Sequence, residues 1–340
     1  MLLEGPTDLQ RNPEPLTLAT VPDPIPGPAE IVVRVSVCGV CHTELDEIEG
    51  RTPPPRLPVV PGHQVIGRVA ALGAGVSDWA LDERVGVAWI RSACGECRFC
   101  RAGLENLCPR FEATGRDADG GYAEYMSVPA AFAHRIPRGL SDTEAAPLLC
   151  AGAIGYRSLR LADIRDGDRL GLTGFGASGH LVLALVRRTM PRTRVHVFAR
   201  SPEQRRFALE LGAASAGDTD DPPPYELNAI IDTTPAWKPV VAALACLLPG
   251  GTLVINAIRK DDRDRGELLK LDYPAHLWME KRITSVANVT RRDVREFLAA
   301  AAEAGIAPEV ETFALQDANR ALVELKQGGG RGAKVLRIGA

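Results

Sequence analysis

The chain has 340 residues, 45% of them hydrophobic and 24% charged, with a formal net charge of −3. That balance is globular, with room for two domains, and it gives no electrostatic reason to expect nucleic acid or an anionic membrane as partner. The longest apolar run, around Pro239 to Pro249, is too short to span a bilayer, and the opening MLLEGPTDLQ has no cationic segment followed by an apolar one. The expectation is a cytoplasmic protein whose eight cysteines are thiols and metal ligands rather than disulfides.

The first half is punctuated by glycine and proline. The stretch PEPLTLATVPDPIPGPAE must be extended or turning, because proline fixes φ and removes a donor. Strands are expected at Ile31 to Val37, Gln64 to Ala71 and Arg84 to Trp89. From about Ala151 the pattern changes to alternating strands and helices. Arg169 to Leu172 runs through TGFGASGH into the helix LVLALVRR, and Arg194 to Ala199 precedes the helix SPEQRRFALELGA. Strands follow at Ala229 to Ile231 and Gly251 to Ile255, with a helix over Val240 to Leu248 between them. Such alternation predicts a parallel, doubly wound sheet. After about Ser285 come the helices RRDVREFLAAAAEAG and DANRALVELKQG and a last strand, AKVLRIG. The architecture expected is an α/β chain in which a β-rich domain is interrupted by a Rossmann domain. No internal repeat appears, and the Gly328–Gly330 run reads as a short loop.

Cys94, Cys97, Cys100 and Cys108 stand as C-x₂-C-x₂-C-x₇-C. Zn²⁺ prefers four tetrahedral soft ligands, and turns that put thiolates three residues apart let one loop supply them all. A closed four-thiolate site has no open position, so this zinc should be structural. A disulfide framework would suit a short secreted chain instead.

Gly174, Gly176 and Gly179 form G-x-G-x-x-G between a predicted strand and a predicted helix, the context of a dinucleotide-binding loop. An acidic residue at the end of the next strand would hold a ribose 2′-hydroxyl and favour NAD. The chain reads Val197-Phe198-Ala199-Arg200-Ser201 there. Arg200, Ser201 and Arg205 can hold a 2′-phosphate through charge-assisted hydrogen bonds, so NADP(H) is expected over NAD(H).

Cys41 in CGVCHTEL, His63 in PGHQ and Cys150 in APLLCAG are widely spaced and could meet only through the fold. Two thiolates, an imidazole and a water would make an open, catalytic zinc. Taken singly, each is better read as a buried thiol or a satisfied histidine. Cys38-Gly-Val-Cys41-His42 also spells the c-type haem attachment pattern, but nothing else supports a cytochrome. Cys38 and Cys246, the latter placed inside an apolar helix, read as core thiols.

Taken together, CGVCHTEL, VVPGHQVIG, SACGECRFCRAGLENLC, GGYAEY, APLLCAG and GFGASGH occur in an order that resembles the zinc-dependent alcohol dehydrogenases of the medium-chain dehydrogenase/reductase superfamily over nearly the whole chain. The resemblance implies a GroES-like catalytic domain of residues 1–150 and 285–340, a Rossmann domain of residues 151–284, and substrate in the cleft between them. It implies two zinc ions per chain: a catalytic one on Cys41, His63 and Cys150, and a structural one on the four-cysteine loop. Thr43 matches the hydroxyl that accepts the alcohol proton. Asp46 stands where relatives often have a histidine further along the relay, so either Asp46 is the terminal base or protons leave through ribose hydroxyls and water. Glu44 matches the acid that orients the zinc histidine, although relatives more often use Asp. Gln64 replaces a frequent Glu, which should leave the metal slightly more electrophilic. Trp89 matches a substrate-pocket tryptophan, and Arg291, or equally Arg292, a phosphate-gripping arginine. The activity implied is reversible hydride transfer between a primary or secondary alcohol and its aldehyde or ketone, in a tetramer or else a dimer. A zinc-stapled dinucleotide-binding protein without catalysis is the alternative, disfavoured because Cys41, Thr43, His63 and Cys150 are all present.

Overall fold

The computed structural model describes residues 1–328 and 332–339, so Gly329 and Gly330 of the glycine run lie outside the described residues. Contacts divide the chain into two units, Met1–Cys150 with Val289–Ala302 and Ala307–Ala340, and Ala151–Asn288 with Glu303–Ile306.

The first unit is built on the strand Glu30–Val40, whose β-branched run EIVVRVSVCGV is buried along most of its length. It pairs antiparallel with Val65–Leu72, Tyr125–Pro129 and Ala333–Arg337, and Val310–Ala314 adds a parallel edge beside the last of these. Arg84–Val87 and Ala133–Arg135 extend the other side. The register sets Cys38 opposite Val65, so the residues just after one strand and just before the other emerge at the same end of the pair. That register carries Cys41 toward His63.

The second unit is a six-stranded sheet, entirely parallel, in the order Ser215–Gly217, Arg194–Phe198, Arg169–Thr173, Leu227–Asp232, Leu247–Ile255, Arg282–Ser285. Chain order reverses between Arg169–Thr173 and Leu227–Asp232, the switch point at which sheets of this kind bind ligands. The fold is thus a GroES-like mixed β unit plus a doubly wound Rossmann unit.

One expected boundary is corrected. The helix placed over Val240 to Leu248 spans Lys238–Ala245, and Leu247 already belongs to the next strand. The apolar run concealed the change because a buried helix and a buried parallel strand are equally hydrophobic. Cys246 is therefore the half-buried C-cap of that helix, its Sγ 3.7 Å from the Ala242 carbonyl, rather than a core thiol. Cys38 is fully buried. The helices His42–Ile48, Asp142–Pro147 and Ala153–Ala162 go beyond the elements expected from the sequence.

Candidate metal and dinucleotide sites

The sulfurs of Cys94, Cys97, Cys100 and Cys108 lie within 4.8 Å of one another. Cys94 Sγ and Cys97 Sγ are 3.8 and 3.6 Å from Cys100 Sγ. Four sulfurs at the Zn–S distance of about 2.3 Å on a tetrahedron stand about 3.8 Å apart, so the donor set fits zinc. Backbone N–H groups support the sulfurs: those of Cys97, Cys100 and Arg110 donate to Cys94, Cys97 and Cys108 at 3.4, 3.5 and 3.3 Å. The N–H groups of Glu96 and Cys97 hold the Cys94 thiol down to about 6, while burial and Cys97 push Cys100 up to about 12. Four thiolates so close together require a cation.

Cys41, His63 and Cys150 also bring their ligand atoms within 4.8 Å of one another. Cys41 Sγ is 3.6 Å from His63 Nε2, the separation of about 3.6 Å that sulfur and imidazole nitrogen take up on one tetrahedral zinc. Three donors leave a fourth position open. Cys41 caps the helix His42–Ile48, accepting from Thr43 N at 3.4 Å, and its own N–H donates to Glu44 Oε2 at 2.8 Å, a capping box with cysteine in the place of serine. Cys150 sits in a single π turn, Leu148–Gly152, a device that recurs at functional sites.

The other oxygen of Glu44 lies 2.6 Å from His63 Nδ1, and both side chains are essentially sealed from solvent. Burial opposes a charge on His63, but Glu44 and Cys41 outweigh it and raise its pKa. Hydrogen bonding to Cys150, burial and Glu44 together push the Cys41 thiol well up, so a cation is needed to make it a thiolate.

Thr43 lies in the first turn of the same helix, half-buried. Asp46 is buried on that helix, and its carboxylate is held by Arg51 Nε at 2.5 Å. The Gln64 side chain packs on Gly39, where an added Cβ would meet its Oε1 at 2.7 Å. Trp89 is buried in the core of this unit with its ring 5.3 Å from that of Phe111, and its Nε1 has no partner among the described residues. The sequence reading missed Glu47. This glutamate is 1% exposed, with Oε1 unpartnered among the described residues, and burial and the Glu44 charge hold its carboxyl well above the usual range. Its signal was a third acid in the hexapeptide HTELDE, which reads as a solvated helix face until the fold buries it.

The three glycines meet three different demands. Gly174 has φ +77°, and a Cβ there would lie 2.8 Å from Thr233 Oγ1. Gly176 precedes the helix Ala177–Thr189 and has open space where its Cβ would be. Gly179 packs its Cα toward the Gly174 carbonyl, which a Cβ would approach to 3.1 Å. A tight turn, a bare approach to a helix N-terminus and close packing are the features of a pyrophosphate loop. Ser201 caps the helix Pro202–Glu210, with its Oγ accepting from Gln204 N at 3.4 Å. Arg205 is turned back onto the carbonyls of Ala199 and Arg200 at 2.7 and 2.9 Å and faces Asp218 at 3.4 Å. Arg200 is exposed. Arg291 is engaged by Glu105 at 3.1 Å and lies over the Phe132 ring, while Arg292 pairs with Glu296 at 2.6 Å.

Residues 27–138 match the model of the alcohol dehydrogenase GroES-like domain. The protein named probable alcohol dehydrogenase AdhA in Mycobacterium tuberculosis (strain CDC 1551 / Oshkosh) is 45% identical over 329 residues, covering 95% of this chain and 93% of that protein. Acetophenone reductase from Geotrichum candidum, solved in complex with NAD, is 26% identical with a TM-score of 0.82 over 95% of this chain and 94% of that one. A protein of Sinorhizobium meliloti 1021, assigned as a zinc-binding dehydrogenase and solved bound to NADP, is 26% identical with a TM-score of 0.81 over 93% and 94% of the two chains. No helix among the described residues is long and apolar enough to cross a membrane. With two donor sets that fit zinc and relatives similar along nearly their full length, the chain belongs to the zinc-binding alcohol dehydrogenases of the medium-chain dehydrogenase/reductase family and to their zinc-dependent, NAD(P)-linked chemistry.

Proposed function

We propose that this protein interconverts primary or secondary alcohols and their aldehydes or ketones, preferring NADP(H), with Cys41, His63 and Cys150 holding the catalytic zinc and the four-cysteine loop a structural one. The observation that carries the reading is the convergence of two thiols and an imidazole whose far nitrogen faces a buried carboxylate at 2.6 Å. Zinc held there supplies a Lewis acid that polarises an alcohol or carbonyl oxygen. The chain's own residues prepare that position. The Glu44 carboxylate, 2.6 Å from His63 Nδ1, favours the tautomer that keeps its proton on Nδ1 and leaves Nε2 directed at the thiols. Thr43 presents a hydroxyl two residues beyond Cys41 and accepts the alcohol proton. Asp46, buried and paired with Arg51, stands one turn further along as the acceptor that ends the relay.

The coenzyme preference rests on Arg200. No acid ends the strand Arg194–Phe198, Ser201 accepts the Gln204 N–H as a cap and keeps its own O–H donor, and Arg205 is committed to the loop backbone. The exposed Arg200 is the cation left to meet a 2′-phosphate. The test is the initial rate of aldehyde reduction with NADPH and NADH in parallel, on the wild type and Arg200→Ala. The expected result is a kcat/KM higher with NADPH, an advantage that Arg200→Ala removes while leaving the NADH rate in place. A faster rate with NADH would overturn the preference. No turnover by zinc-loaded protein with either nucleotide would overturn the catalytic reading.

A further inference from the structure

A buried ion pair stands at the switch point of the parallel sheet. Thr173 and Asp232 are the last residues of adjacent strands and lie opposite each other in register. Asp232 is fully buried, and the Lys260 side chain that pairs with it is 8% exposed. The ammonium reaches Asp232 Oδ2, the Thr234 carbonyl at 2.8 Å and the Ala236 carbonyl at 2.9 Å. An ammonium has three donors, so none is left for a ligand. Lys260 can act only through the groups it holds.

Those groups lead to the glycine loop. The other Asp232 oxygen accepts from Thr173 Oγ1 at 2.5 Å and Thr234 Oγ1 at 2.8 Å. Thr233 donates its N–H and hydroxyl to the Thr173 carbonyl at 3.0 and 2.9 Å, and Gly174, the next residue, lies so close to Thr233 and Thr234 that a Cβ would meet them at 2.8 and 2.9 Å. The segment bearing Lys260 is bound to the same loop by Asp261 N to the Pro235 carbonyl at 2.7 Å, and by the N–H groups of Trp237 and Lys238 donating to Asp264 Oδ2 at 2.8 and 2.9 Å.

We propose that Lys260 is a positioning residue for the coenzyme: through Asp232 it holds the Thr233–Ala236 segment against Gly174, so that the backbone facing the pyrophosphate is set before nucleotide arrives. This rests on the reading of Gly174, Gly176 and Gly179 as the dinucleotide loop. The test uses the zinc-loaded full chain, with dissociation constants for NADPH and NADH from coenzyme fluorescence, kcat at saturating coenzyme, and the melting temperature. Lys260→Met should raise both dissociation constants by the same factor, tenfold or more, and leave kcat within about twofold. It also strands a buried carboxylate and lowers the melting temperature. Asp232→Asn combined with Lys260→Met removes that stranded charge. It should recover much of the melting temperature while coenzyme binding stays weak. Coenzyme affinity that recovers along with the melting temperature would overturn the proposal, as would a Lys260→Met protein that binds both nucleotides like the wild type. A wild type that binds neither nucleotide would instead overturn the dinucleotide reading on which the proposal stands.

Discussion

Glu44 performs two tasks with two oxygens, and a single substitution separates them. Oε2 accepts the Cys41 N–H at 2.8 Å and closes the capping box of the helix His42–Ile48, while Oε1 faces His63 Nδ1 at 2.6 Å with both side chains buried. Glutamine is also accepted at this position of a capping box, so Glu44→Gln keeps the cap and deletes the charge behind His63. Two independent magnitudes bear on the loss. Removing the outer partner of a metal-binding histidine costs roughly 10- to 100-fold in metal affinity, or about 1.4 to 2.7 kcal/mol. A hydrogen bond to a charged group contributes about 1.5 to 3 kcal/mol. The ranges overlap, so Glu44→Gln should weaken the catalytic zinc by one to two decades. Glu44→Ala should do the same and also lose the carboxylate that accepts the Cys41 N–H in the capping box. Competition against a chromophoric zinc chelator reads the affinity, and the four-cysteine zinc in the same molecule is the internal standard. If Glu44→Gln holds both zinc ions as tightly as the wild type, the carboxylate does not govern the histidine and the reasoning fails.

The glycine loop predicts a contrast between two alanine variants. Gly174→Ala places a Cβ at φ +77° against Thr233 and should destabilise the fold by about 1 to 2 kcal/mol or more. Gly176→Ala meets open space, so its melting temperature should match the wild type while its coenzyme affinity falls; unchanged coenzyme affinity in Gly176→Ala would refute a phosphate at that position. Stability should also depend on His134, which is buried with both ring nitrogens unpartnered among the described residues and has its pKa lowered from 6.5 to about 3 by burial and then by Arg295 and Arg291. The unfolded chain takes up this proton below pH 6.5 and the folded chain does not. Stability is therefore full above that pH and declines as pH falls toward 3, by at most about 1.4 kcal/mol per pH unit from this group. Urea unfolding at about pH 7 and pH 5 should show the decline, and His134→Leu should flatten it, since an unpartnered imidazole has no hydrogen bond to lose; an equal slope in the variant would refute the assignment.

Much of the chemistry was legible because it is local. The four cysteines fit into one short loop, and their spacing alone implies the cluster of four sulfurs that the fold assembles. The glycine pattern was legible for the same reason, since a turn between a strand and a helix involves only neighbours along the chain. The apolar run before Pro249 was ambiguous because hydrophobicity reports burial and not conformation, so the end of the helix Lys238–Ala245 was placed too late. Arg205 and Arg291 read as free cations in the sequence. The fold gives each a partner, the loop carbonyls in one case and Glu105 in the other.

By itself, then, the sequence determined the alternation of strands and helices in the second unit, the clustering of the four loop cysteines and the glycine turn, because each depends on interactions a few residues apart. Tertiary structure alone decided that Cys41, His63 and Cys150 meet, that Glu44 faces His63, that Glu47 is buried, and that Lys260 lies beneath the glycine loop. Those facts follow from strand register and from which side chains the packed core seals from water, and both are set by contacts between residues far apart in the chain.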